Sequence, residues 1–192
     1  MPSILPGIHT LNQHLSTLLE KPSDYRPACC KGCGKPKLWS HGFYTRKASC
    51  EQGHGNPVLI PRFLCPHCQL TCSVLPEYIA PKRWYHWAIQ ELVLRLLLSG
   101  STYNGVLDSL CSSHFDRQNF VEPSMSTLHR WWSRFKSDYL NSRFCLCNYF
   151  PPLGATNELS GFWLSCLEKM RLSSAMTLVF NTQSDDETML NY

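Results

Sequence analysis

Long apolar runs are missing from this sequence. No stretch approaches the ~18 uninterrupted apolar residues of a membrane span, so no membrane helix is expected. No secretory leader is expected either: MPSILPGIHTLNQHL has no basic stretch followed by a continuous apolar one. The expected compartment is therefore cytoplasmic, where disulfides are rare and paired cysteines more often bind metal. Charge is scarce, at 17% of the 192 residues against 43% hydrophobic, which excludes a disordered polyelectrolyte. Acidic residues are scarcest between positions 30 and 83. There Glu51 and Glu77 stand against Lys31, Lys35, Lys37, Arg46, Lys47, Arg62, Lys82 and Arg83, a local excess of +6. Residues 84–140 balance to zero and residues 141–192 carry −2. A basic front and an acidic end suit a polyanion-binding first half, although charge alone fits a solvated surface equally well.

What is present in quantity is cysteine, eleven in all. Four form two Cys-x-x-Cys pairs: Cys30 and Cys33 in CKGCGKPKLWSHGFYTRK, Cys65 and Cys68 in RFLCPHCQLTCSVLP. Two intervening residues let both sulfurs of a tight turn converge on one tetrahedral ion. The residue after the second cysteine needs positive φ; Gly34 fits, and Gln69 departs from that pattern. A redox pair would be a single motif at a helix N-terminus in a βαβ context. Two motifs flanked by strand patterns predict a closed, structural Zn2+ site, and a β domain with so small a core needs such a staple. Cys50 and His54 offer a second half-site but read as loop residues, and Cys29 would lengthen the first spacing to three. Cys72, Cys111, Cys145, Cys147 and Cys166 read as small buried hydrophobes.

The expected class is α+β, a small β zinc ribbon followed by a helix-turn-helix-like helical module. Residues 1–27 are expected to be a helix and a proline-marked linker, 28–80 the ribbon, 81–150 the helical domain and 151–192 an extension disordered in part. LWSHGFYTR, PVLIPRFL and LTCSVL are the strand candidates. WYHWAIQELVLRLLLSG, STYNGVLDSLCS and SMSTLHRWWSRFKSDYL read as helices, with Leu128, Trp131, Trp132 and Phe135 as the apolar stripe of the third. GFWLSCLEKMRLSSAM suits a further helix, and NTQSDDETMLNY reads as a frayed acidic tail. His86 and His114 read as surface or satisfied residues.

The order Cys-x-x-Cys-Gly, LWSHGFYTR, RFLCPHCQLTCSVLP resembles the zinc ribbon at the front of many bacterial insertion-sequence transposases and their small accessory DNA-binding proteins. Cys72 replaces the aromatic usual there. The resemblance covers roughly residues 25–80. The stretch ending in MSTLHRWWSRF resembles, more weakly, the helix-turn-helix region that follows such ribbons, because the connection before it is longer than the standard turn. The resemblance implies double-stranded DNA as partner, with a transposase or a second copy of the chain as a protein partner. The residues agree. Lys37, His41, Tyr44, Arg46 and Lys47 interleave cations and rings on one strand, and Arg62 lies on the opposing one. Ser126, Thr127, His129, Arg130 and Arg134 lie off the apolar stripe of the third helix, as in a helix that reads a major groove. An ordinary amphipathic helix with a solvated face remains the alternative.

A transposase of the resembled kind adds a nuclease fold with three spaced carboxylates. Only about 50 residues follow the helical region, too few for that domain by ordinary domain sizes. No strand-transfer or nuclease activity is therefore expected. A catalytic zinc would need an open position and a nearby base, which four thiolates do not leave. A protein-interaction module within a transposition or transcription complex, or a non-catalytic transposase fragment, remains open.

Overall fold

In a computed structural model that describes residues 3–46, 57–81, 85–112 and 121–189, the expected α+β class is observed: a small four-stranded sheet precedes a set of helices. Lys47, Cys50, His54 and His114 lie outside the described residues. The strands are β1 (Ser3–Leu5), β2 (Trp39–Arg46), β3 (Val58–Leu64) and β4 (Thr71–Pro76), in the order β1-β4-β3-β2. Three coincide with the expected strand segments. The fourth is a correction. A helix was expected from the first residues, but Ser3–Leu5 pairs in parallel with Val74–Pro76 and Ile4 is buried. Pro6 and Gly7 (φ 83°) then break the chain. Helix α1 (Leu11–Glu20) starts at a capping box between Thr10 and Gln13.

Antiparallel partners point to the same side of a sheet. On one face Phe63, Cys72 and Val74 pack with Leu38, Tyr25, Cys30 and Cys65. On the other Val58, Ile60 and Leu75 pack with Tyr78 and Ile79 of the connector after β4. Pro61 lacks an N–H, and β3 pairs with β4 only over Arg62–Leu64. Beyond that, α1 takes the place of the strand. The buried His14 donates from Nε2 to the Leu59 carbonyl at 2.8 Å, which leaves Nδ1 to accept from the Tyr25 hydroxyl at 2.5 Å. The proline-marked linker is thus a 3-10 turn (Pro22–Tyr25) whose tyrosine is buried.

The helices are α2 (Trp87–Leu98), α3 (Tyr103–Ser112), α4 (Met125–Ser137), α5 (Tyr139–Tyr149), α6 (Leu159–Lys169) and α7 (Leu172–Met189). One core joins them: Leu94, Val106, Leu128, Trp131, Phe162, Trp163 and Leu172 are among its buried members. The segment after 151, expected as an extension disordered in part, supplies two helices to this core, and α7 runs through the expected acidic tail to Met189. The expected third helix ends at Ser137, and the chain restarts as α5. Cys145 and Cys166 are buried as expected, whereas Cys111 is exposed. Arg95 donates to the Leu167 carbonyl at 2.7 Å and Glu91 accepts from the Leu172 amide at 2.7 Å, tying α2 to the last two helices. No described helix is long and apolar enough to cross a membrane.

Candidate functional site

The four cysteines sit on two near-identical turns. In the first, the Gly34 amide donates to the Cys30 carbonyl (2.8 Å) and the Cys30 amide to Lys35 (2.9 Å). In the second, Gln69 donates to Cys65 (3.0 Å) and Cys65 to Leu70 (2.9 Å). Both turns need a left-handed residue. Gly34 supplies it at φ 66°; Gln69 adopts φ 59° despite its Cβ, with its side-chain amide donating to the Pro66 carbonyl at 2.9 Å. The turns also pack on each other, because a Cβ at Gly32 would overlap the Leu70 side chain.

This places Cys30 Sγ 3.6 Å from Cys68 Sγ and Cys33 Sγ 3.6 Å from Cys65 Sγ, all four sulfurs within 4.8 Å of one another. Metal–sulfur bonds of about 2.3 Å in a tetrahedron put sulfurs roughly 3.8 Å apart, so the donor set fits a metal ion. The electrostatics agree. The Cys68 amide, and behind it that of His67, draws the Cys65 thiol down to about 6 against the effect of burial. At Cys68 the Leu70 amide favours the thiolate, yet burial and three neighbouring sulfurs push the group up to about 12. With like groups this close, all four would be thiolates together only with a cation between them.

The residues expected at a DNA surface are distributed unevenly. Lys37 and His41 are exposed, with Lys37 at φ 66° ahead of β2. His41 and Gly42 stand against Arg62 in a β-bulge, between the pairs Ser40–Phe63 and Phe43–Pro61. Tyr44 is half-buried against the Val58–Ile60 cluster. Arg46 turns inward and donates to the Ala80 carbonyl at 2.6 Å. Arg62 is half-buried on the sheet face it shares with Trp39 and Leu64. On α4, Leu128, Trp131 and Phe135 are buried and Trp132 partly so, while Ser126, His129, Arg130 and Arg134 are exposed. Ser124 caps the helix by accepting from the Thr127 amide, and Arg130 donates to Thr127 Oγ1 at 3.0 Å. His129 lies over the Tyr103 ring (centroids 3.9 Å apart), and Arg134 pairs with Asp138 at 3.1 Å.

Three features were not read from the sequence. Trp39 was not singled out as a surface residue, yet it is 61% exposed. Its place at the exposed knuckle end of β2 was the available signal. Glu77 is buried at 2% exposure, its carboxylate accepting from the Gly7 amide (2.7 Å) and from the hydroxyls of Ser173 and Ser174. His86, expected at the surface or satisfied, is instead 5% exposed with no hydrogen-bond partner at Nε2.

No curated protein and no solved structure matches the chain. Residues 30–131 match a family described as a domain of unknown function, DUF6431. The matched stretch opens on the first cysteine of the cluster and closes on Trp131 in α4, so it takes in both cysteine turns and the first half of the helical core. It covers more than half of the sequence, and the chain accordingly belongs to the DUF6431 family.

Proposed function

We propose that the chain is a zinc-dependent, transposase-related DNA-binding protein that recognises mobile-element DNA or regulates such an element. Four convergent thiolates are a soft donor set that suits Zn2+, and four protein ligands close its shell, which makes the ion structural. The observation that carries the DNA reading is the surface charge. Among the described residues of 28–81 the one carboxylate is Glu77, and it is buried, whereas Lys35, Lys37 and His41 are exposed. A surface with exposed cations and no exposed carboxylate attracts a polyanion. The exposed side of α4 continues the pattern with His129, Arg130, Arg134 and Lys136, and Asp138, just past its end, is paired with Arg134.

The test is fluorescence anisotropy of zinc-loaded protein against duplexes from the flanks of its own gene and against scrambled duplexes, at two salt concentrations. Preference for the flanks supports a mobile-element binder; equal, salt-sensitive binding reduces the role to backbone contact. Arg130→Ala is expected to weaken duplex binding about tenfold with the fold intact, the size of one lost base contact. No binding to any duplex ends the proposal.

One observation favours a second reading, a protein-docking module. Leu140 and Phe144 lie one turn apart on α5 and are 72% and 69% exposed. That reading predicts weak DNA binding and a stoichiometric protein partner that Phe144→Ser releases.

A further inference from the structure

Each face of the sheet is only half covered, and the open half nearest the metal turns has a composition of its own. Trp39 pairs with Leu64 and Leu64 with Thr71; Arg62 pairs with Ser73. These side chains therefore share one face. Farther along that face Ile60, Val58 and Leu75 are sealed under Tyr78 and Ile79. At the knuckle end nothing comparable among the described residues covers it: Trp39 and Thr71 are exposed, and Leu64, Arg62 and Ser73 are half-buried. A single exposed indole is ordinary. This one is accompanied by a guanidinium and two hydroxyls, with Lys37 two residues ahead of it and no exposed carboxylate among the described residues of 28–81.

The surroundings select the partner. An apolar protein surface would leave Arg62 and the hydroxyls unpaired as it desolvated them. A polyanion satisfies the cations, and within a polyanion the group that matches a flat indole is a nucleobase face. In a duplex those faces are occupied by stacking, and only base edges reach the grooves. We propose that this sheet face binds the unpaired nucleotides of a DNA strand. The Trp39 ring stacks on a base, Arg62 and Lys37 contact phosphates, and Thr71 and Ser73 bond the base edge or sugar. The inference rests on the DNA-binding reading and specifies its substrate: single-stranded DNA, or the single-stranded tail of a duplex.

The experiment uses the zinc-loaded full chain at low salt and three labelled probes. They are an oligothymidine of about 16 nucleotides, a blunt duplex of about 16 base pairs, and that duplex carrying a tail of about eight thymidines. The tailed duplex is expected to bind about tenfold more tightly than the blunt one, the effect of one base–aromatic stack. Trp39→Ala is expected to abolish that advantage without changing blunt-duplex affinity or the melting midpoint. Trp39→Phe, which keeps a ring, is expected to retain most of it. Equal binding of tailed and blunt duplexes by the native chain, or an advantage that survives Trp39→Ala, overturns the inference and leaves duplex binding standing. Failure of all three probes to bind overturns the DNA reading and the inference together.

Discussion

Arg46, the last residue of β2, donates from Nη2 to the carbonyl oxygen of Ala80, 2.6 Å away. The bond crosses from the sheet to the connector that leads into the helices. A guanidinium spent on a core carbonyl is not available to a phosphate. Arg46→Met is therefore expected to lower stability by about 2 kcal/mol, the range of a charge-assisted bond to a buried acceptor. The DNA affinity of the folded protein should change less than twofold. Chemical denaturation alongside anisotropy checks this; lost affinity at unchanged stability would return Arg46 to the DNA surface.

For the metal centre, zinc-loaded protein is expected to hold one ion per chain. Cys65→Ser should lose it and the fold of the β region together. Cys65 is fully buried between the two sulfur turns, and the binding energy of a structural site, on the order of 10 kcal/mol or more, is folding energy. Cys29→Ser is the control: Cys29 is exposed and outside the cluster, so metal content and melting should not move. A Cys65→Ser protein with full metal content and native melting would refute the four-thiolate assignment.

These two cases also show what a sequence can reveal. The knuckles were legible because their spacing is local chemistry, and three strands because they lie between turn residues. The face that each strand residue occupies was not. In an uninterrupted strand Trp39, His41 and Phe43 would share one side. The bulge at His41 and Gly42 shifts the alternation, so Trp39 shares its face with Tyr44 and Arg46 instead. That single irregularity brings Arg46, whose guanidinium reaches Ala80, onto the face of Trp39 rather than the opposite one. Strand β1 escaped because its partner lies about 70 residues away, and three residues carry no period. Helix α5 escaped because it is apolar on both sides: Cys145 and Leu146 are buried, Leu140 and Phe144 exposed.

Glu77 is a second tie of this non-local kind. It joins the Gly7 amide, the hydroxyls of Ser173 and Ser174 at the start of α7, and the His9 ring 3.5 Å away. Glu77→Ala leaves buried donors without an acceptor and is expected to cost about 3 kcal/mol. Amide exchange should quicken at Gly7 and in the first turn of α7. Native stability in that variant would mean that the carboxylate is dispensable.

His86 makes stability depend on pH. It lies just ahead of α2, edge-on to Tyr78 with ring centroids 5.0 Å apart. Burial, and then the charge of Arg46, hold it down to about 4. The unfolded chain titrates near 6.5 and so binds more protons than the folded one between those values. The stabilisation is full above about pH 6.5 and is lost as pH falls toward 4, by roughly 3 kcal/mol in all. Burial also lowers His14, which acts in the same direction, and acid would protonate any metal-bound thiolates as well, so the native curve alone does not isolate His86. His86→Phe does, because it keeps an edge contact with Tyr78 and removes no side-chain cap. Between about pH 7.5 and 4.5 the variant is expected to gain about 2–3 kcal/mol relative to the native chain. A difference that stays flat across that range would show that His86 is not held neutral in the fold.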